Sequence, residues 1–167
     1  MKRNYILIGI SLLISLFIYL FYRTDRTIVN EIVIRLISFD KYTTLKAHIV
    51  KILPLHNMVI YSLPEALWIF CITLTSKPYY VRLNNRRFDC LFIPLIFCIT
   101  LEILQLFHIT NGRFDFMDIG MSVIFWILGS YILGNEPEKQ DILTRPNPKM
   151  IVCLVSYCIV YLAHVVK

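Results

Sequence analysis

Apolar residues run without a charge from residue 5 to residue 22, and as a helix this stretch reaches about 27 Å, close to the hydrocarbon thickness of a bilayer. Lys2 and Arg3 precede it. Tyr19, Leu20, Phe21 and Tyr22 offer no small-residue cleavage site, so the segment reads as an uncleaved anchor rather than a signal peptide. Further apolar runs cover residues 58–75, 90–107, 117–134 and 150–166. In the first of these, Ser62 and Glu65 have the spacing of a capping box and Pro64 falls in the turn between them. This predicts a helix that starts near Leu63, entered by a bent or re-entrant segment.

Between the first two runs, residues 28–53 carry a different pattern. Ile28, Val29, Ile32, Val33, Leu36 and Ile37 recur at helical spacing opposite Glu31 and Arg35. Leu45, Ile49, Ile52 and Leu53 repeat the stripe among Lys41, Lys46 and Lys51. Each piece is too short and too charged to span, which suits amphipathic helices in the interface plane or a lid packed over a bundle. The predicted fold is therefore all-α: a polytopic helical membrane protein of about five transmembrane helices, with amphipathic interfacial helices between the first and second.

Composition agrees with that picture. Of the 167 residues, 57% are apolar or aromatic and only 17% are charged, a surplus that a soluble domain of this size has no interior to bury. The five cysteines have no C-x-x-C spacing and read as small buried hydrophobes. The four histidines lack the helical pairing of a zinc site, although His108 borders the polar residues described next. No phosphate-binding glycine loop or nucleophile elbow is present, and no metal or cofactor is assigned. The net charge of +6 is dispersed over loops, which fits contact with anionic membrane lipids and not nucleic acid. The compact basic turn from Arg82 to Arg87 marks the cytoplasmic side, placing the N-terminus inside and Lys167 outside.

That threading brings the start of the second span, the end of the third, the hairpin of residues 108–114 and the start of the fourth together on the outer side. Glu65, Glu102, Gln105, Arg113, Asp115 and Asp118 gather there. Glu102 lies well inside its span, where a charge is costly and must face the bundle and find a partner. Arg113 is the cation nearest to it in the connecting hairpin. Asp115 also reads as a helix N-cap after the Asn111 and Gly112 turn, with Asp118 in the first turn favoured by the helix dipole. Four carboxylates against one arginine imply that one is protonated or that a cation or cationic ligand group enters. Asp118, Ser122, Phe125 and Gly129 share one helix face, where small residues permit close helix packing.

The order Ser62, Leu63, Pro64, Glu65 and Trp68, then Glu102 and Gln105, then Arg113, Phe114, Asp115 and Asp118, then Gly129 resembles the VanZ-like family of small bacterial membrane proteins. The resemblance covers residues 61–131. Ser122 stands where that pattern carries Asn, and Phe125 where it carries the first of two glycines. The resemblance implies a multi-pass protein of the bacterial cytoplasmic membrane, linked through the family's namesake to sensitivity towards teicoplanin-type glycopeptides. Three functions fit these residues. One is binding of a lipid-linked or peptide envelope ligand at the outer acidic cluster. The second is intramembrane hydrolysis or group transfer on a lipid head group with a carboxylate as general base. The third is a structural or assembly role. The lack of a catalytic signature favours the first.

Overall fold

A computed structural model describes residues 2–23, 28–83, 86–109, 113–132, 139–142, 150–155 and 157. In chain order the elements are α1 (Lys2–Phe21), α2 (Ile28–Ile37), α3 (Phe39–Ile52), α4 (Asn57–Ser76), β1 (Tyr79–Leu83), β2 (Arg86–Asp89), α5 (Ile93–Leu106), α6 (Phe116–Ile127) and β3 (Gln140–Asp141). The protein is mostly helical, as its patterning predicts. Among the described residues two helices, Arg3–Phe21 and Asn57–Ser76, are long and apolar enough to cross a membrane, whereas the apolar helices Cys90–Leu106 and Phe116–Tyr131 are shorter. A 3₁₀ turn at Cys90–Phe92 and Pro94 in the first turn set the start of α5, and α6 passes into a π turn at Leu128–Ile132. Residues 150–155 are helical, and the remainder of the run expected over 150–166 lies, Tyr157 apart, outside the described residues.

The central helix is α4, which packs against α1 on one side and α6 on the other. Ala66, Leu67, Ile69, Phe70, Cys71, Ile72 and Leu74 are all buried, as the middle of a bundle requires. Ser11, Ser15 and Ile18 form the buried stripe of α1. On the far side of α4, a Cβ at Gly129 would meet Thr73 Cγ2 at 3.1 Å and Phe70 Cδ2 at 3.3 Å. The absence of a side chain there lets the two backbones approach. Trp126 closes the gap to α5, packing with Ile69 and Cys98 while its indole nitrogen donates to the Leu91 carbonyl at 2.8 Å.

Two expectations about this core change. The helix predicted to open near Leu63 opens six residues earlier, at Asn57, because the His56 ring caps it: Nδ1 accepts from the Met58 amide at 3.3 Å. Ser62 is consequently buried inside the helix, and there is no capping box with Glu65. Pro64 lies within the helix, where its missing amide deprives the preceding turn of a donor. The carbonyl left without that donor is that of Ile60, and the neighbouring Tyr61 carbonyl accepts from Arg23 Nη2 at 3.1 Å. Arg82, Arg86 and Arg87, expected in a compact turn, lie in paired strands. Tyr79, Tyr80 and Val81 are strand-forming residues, and β1 pairs antiparallel with β2 in the register Tyr80 to Asp89 and Arg82 to Arg87.

A short β3 adds in parallel to β1, giving the order β2-β1-β3. Tyr79, Cys90 and Cys153 form a small core beneath this sheet, and Ser76 joins it through hydrogen-bond contacts with Cys153 and Tyr157. At the other end of the molecule, residues 28–53 form two helices broken at Ser38, whose φ of 80° ends one helix and redirects the next. Tyr42 fastens α3 to the end of α1: its ring is buried and its hydroxyl donates to the Leu20 carbonyl at 2.6 Å. Lys46 Nζ donates to the Arg23 carbonyl at 2.9 Å, and the Tyr22 hydroxyl donates to the Leu53 carbonyl.

Candidate functional site

Three helices each contribute one carboxylate to a single point. Glu65 comes from the N-terminal half of α4, Glu102 from near the end of α5, and Asp118 from the first turn of α6. One oxygen from each lies within 4.8 Å of the other two. Helical spacing explains the part played by α5, since Cys98, Leu101, Glu102 and Gln105 fall at i, i+3, i+4 and i+7 and make up its buried face. The α6 contribution follows from its cap. Asp115 is the N-cap, its side chain accepting from the Met117 amide at 2.9 Å, and this places Asp118 one turn inside.

The three carboxylates differ in surroundings. Glu65 and Asp118 are half-buried, whereas Glu102 is 0% exposed. Glu102 Oε2 accepts from the Asp115 amide at 3.1 Å, and Oε1 is buried without a hydrogen-bond partner. The Cys98 thiol lies 3.9 Å from Glu65 Oε1, a thiol donor beside the carboxylate. Charges at this separation in an effective dielectric of about 20 repel by about 3 kcal/mol per pair. Three ionised carboxylates therefore do not coexist here without a cation or a shared proton. As hard oxygen donors on three separate elements, Glu65, Glu102 and Asp118 are the residues, among the described ones, that could hold a metal ion.

Not every residue expected at the site reaches it. Arg113 is exposed, and among the described residues it makes no ion pair with the cluster. The partner expected for Glu102 is thus replaced by the Asp115 backbone amide, while Arg113 is exposed, where a guanidinium keeps its hydration. Asp115 is exposed and acts as the cap. Gln105 is buried on the same face as Glu102, its backbone carbonyl accepting from the His108 amide at 2.9 Å. His108 is exposed and takes a left-handed φ of 57° as the chain leaves α5. The Asn111 and Gly112 turn lies outside the described residues.

Among the described residues, a cation that acts on the cluster is Arg23, just beyond the end of α1, which attracts Glu65 electrostatically. Its guanidinium sits 5.1 Å from the Tyr19 ring centroid and 5.4 Å from that of Tyr61, and its Nε is buried without a hydrogen bond. Its approach is not visible in the sequence, because Arg23 and Tyr61 lie 38 residues apart and meet only in a fold that packs α1 along α4. A signal was present in the tyrosines at 19 and 22, an aromatic collar at the end of an apolar run. No protein-family model, curated protein or solved structure matches the chain.

Proposed function

We propose that this chain is a multi-pass protein of the bacterial cytoplasmic membrane, akin to the VanZ-like proteins its motifs resemble. In this reading the acidic site at one end of its helices binds the polar head of a lipid-linked or peptide envelope ligand. The membrane part is supported by where the apolar surface lies. Tyr5, Ile6, Ile10, Leu13, Ile14 and Leu16 of α1 are exposed, and only 17% of that apolar segment is buried, against 56% for α4. Ile96, Ile99, Ile103 and Leu106 make the outer face of α5 equally apolar. In water such a surface is a liability, and in hydrocarbon it is the expected one.

The observation that carries the binding function is the meeting of Glu65, Glu102 and Asp118 from three helices, with Glu102 wholly buried. A structural network of this cost would be expected to satisfy its own atoms, and Glu102 Oε1 is not satisfied. Arg23 acts on Glu65 and bonds the Tyr61 carbonyl one turn before it, so a head group would meet a guanidinium as well as carboxylates.

The test uses the full chain in nanodiscs and a fluorescent polyprenyl-pyrophosphate-linked peptide bearing a lysine ammonium. Saturable binding is expected, with loss on combining Glu102→Gln and Asp118→Asn and a parallel change in teicoplanin sensitivity of cells. Unchanged probe binding in that folded double variant rejects the reading. Labelling of cysteines placed at Arg113 and Arg86 reads the orientation. The first is expected to react only from outside, and reaction only from the cytoplasm would move the ligand to the other side of the membrane.

A further inference from the structure

We propose that Glu65, Glu102 and Asp118 form a binding site for a hard divalent cation, Ca²⁺ or Mg²⁺. The donors are all carboxylate oxygens, the chemistry such ions prefer over nitrogen or sulfur ligands. They come from α4, α5 and α6, each fixed by its own packing, and one oxygen of each lies within 4.8 Å of the others. None of the three oxygens lies farther than 4.8 Å from another. Ca²⁺ accepts irregular oxygen shells, whereas Mg²⁺ demands a near-ideal octahedron at about 2.0–2.1 Å, so donors spread over three separate helices favour Ca²⁺.

A second observation is independent of the clustering. The Glu102 side chain is 0% exposed, its Oε2 is held by the Asp115 amide, and its Oε1 is left with no partner in the protein. Fixing one oxygen orients the other, so Oε1 is a preset acceptor in a place where an unmatched acceptor is costly. Arg23 does not fill this role. Its guanidinium is engaged with the Tyr61 carbonyl and the rings of Tyr19 and Tyr61, and it acts on Glu65, whereas the charges that act on Glu102 are all carboxylates.

The site would also resolve a difficulty in the binding function proposed above, on which this last consequence alone rests. A lipid-linked ligand presents phosphate, which three carboxylates repel. Three protein oxygens leave further coordination positions on a divalent ion, and phosphate is a customary occupant of such positions. The unpartnered Nε of Arg23 would donate to the same anion.

The full chain, purified in detergent and freed of metal by chelator, is titrated with Mn²⁺ by electron paramagnetic resonance and then challenged with Ca²⁺ and Mg²⁺. One Mn²⁺ per chain is expected, displaced by Ca²⁺ at lower concentration than by Mg²⁺. Glu102→Gln and Asp118→Asn should each weaken Mn²⁺ binding by about tenfold or more, while Asp89→Asn at the far end leaves it unchanged. Ca²⁺ should raise the thermal midpoint of the natural chain and not of the Glu102→Gln protein, a readout that also confirms folding. Absence of stoichiometric Mn²⁺ in natural protein of full helicity overturns the proposal and assigns the site to shared protons, as does full binding in both variants. Repeating the polyprenyl probe assay in chelator separates the two ideas. Probe binding without any metal binding sinks the cation site alone, and metal binding without probe binding sinks the ligand reading alone.

Discussion

The two ends of this protein treat charge in opposite ways. At the sheet end, Lys139 and Asp89 form a 2.6 Å ion pair with both side chains substantially exposed, and Lys77 Nζ donates to the Ser130 carbonyl at 2.7 Å. Arg82, Arg86 and Arg87 are exposed along the hairpin, Arg87 lying over the Tyr80 ring. At the acidic end, three carboxylates crowd together with one wholly buried and an oxygen of it unmatched. Charges that remain in water cost little and need no exact partner. Charges withdrawn from it persist where something outside the chain completes them. The sheet end thus reads as structural, and the acidic end is where we propose binding, on the same physical ground.

The two ends are joined by the α4 and α6 contact, and the largest effect is expected there. Gly129→Leu drives four carbon atoms into Thr73 and Phe70, where even a Cβ lies at 3.1 Å, and it should cost about 3 kcal/mol in detergent unfolding. It should weaken both ends together, with loss of hairpin amide protection and of ligand binding at the carboxylates. Loss at one end only would show that they are coupled less tightly than the packing implies.

The next effect has the opposite sign and separates the ends most sharply. In chelator, without ligand, Glu102→Gln should stabilise the protein by about 1–2 kcal/mol. It replaces the most deeply buried of three crowded carboxyls by a group that is neutral without a shared proton, keeps an oxygen for the Asp115 amide, and gives a nitrogen that can donate to a neighbouring carboxylate. A site kept for binding is expected to give up stability in this way. A lower thermal midpoint for the variant in chelator would mean that the carboxylates already satisfy one another, and the contrast between the ends would fail.

Parts of this site are readable from sequence because polar residues inside an apolar run have few places to go. Glu102 and Gln105 could only turn inward together with Cys98, and Asp115 before an apolar run reads as a cap. What could not be read depends on contacts distant along the chain. Arg113 is the nearest cation to Glu102 in sequence, but Arg23 is the one the fold brings to the cluster, because α1 lies along α4. The start of α4 was hidden because a histidine ring replaces the hydroxyl or carboxylate that usually caps, while Ser62 and Glu65 imitate a start inside the helix. The hairpin was hidden because three arginines around Asn84 and Asn85 dominate the pattern of two very short strands. Length was hidden too, since an apolar run shows hydropathy and not where a 3₁₀ or π turn ends the regular helix.

A smaller effect probes how α6 presents its carboxylate. Asp115→Ala removes the acceptor of the Met117 amide and should cost about 1 kcal/mol, with most of it recovered in Asp115→Ser. Because the Asp115 amide also holds Glu102 Oε2, fraying of this turn should weaken ligand binding at the acidic end. Hydrogen exchange across the paired strands β1 and β2 should stay as it was. Equal loosening of the hairpin would place the cap in the shared core and not at one end.

The smallest effect is expected at the ion pair between Lys139 and Asp89. Its 2.6 Å geometry suggests strength, but the side chains are 55% and 34% exposed, so water competes for both partners. Such pairs contribute about 0.5 kcal/mol or less, because the Coulomb attraction is offset by ordering a long lysine chain and by screening. Lys139→Ala should therefore lower stability by about that amount in dilute buffer, and by nothing measurable in about 1 M salt. The backbone should hold the strand regardless, since the Gln140 amide donates to the Pro78 carbonyl at 2.8 Å and the Ile142 amide to the Tyr80 carbonyl at 3.0 Å. Unfolding curves of the natural chain and the variant at two ionic strengths measure this directly. A salt-independent loss above about 1 kcal/mol would mean that this pair is shielded from water as the carboxylates are, and the distinction between the two ends would have to be drawn from packing instead of charge.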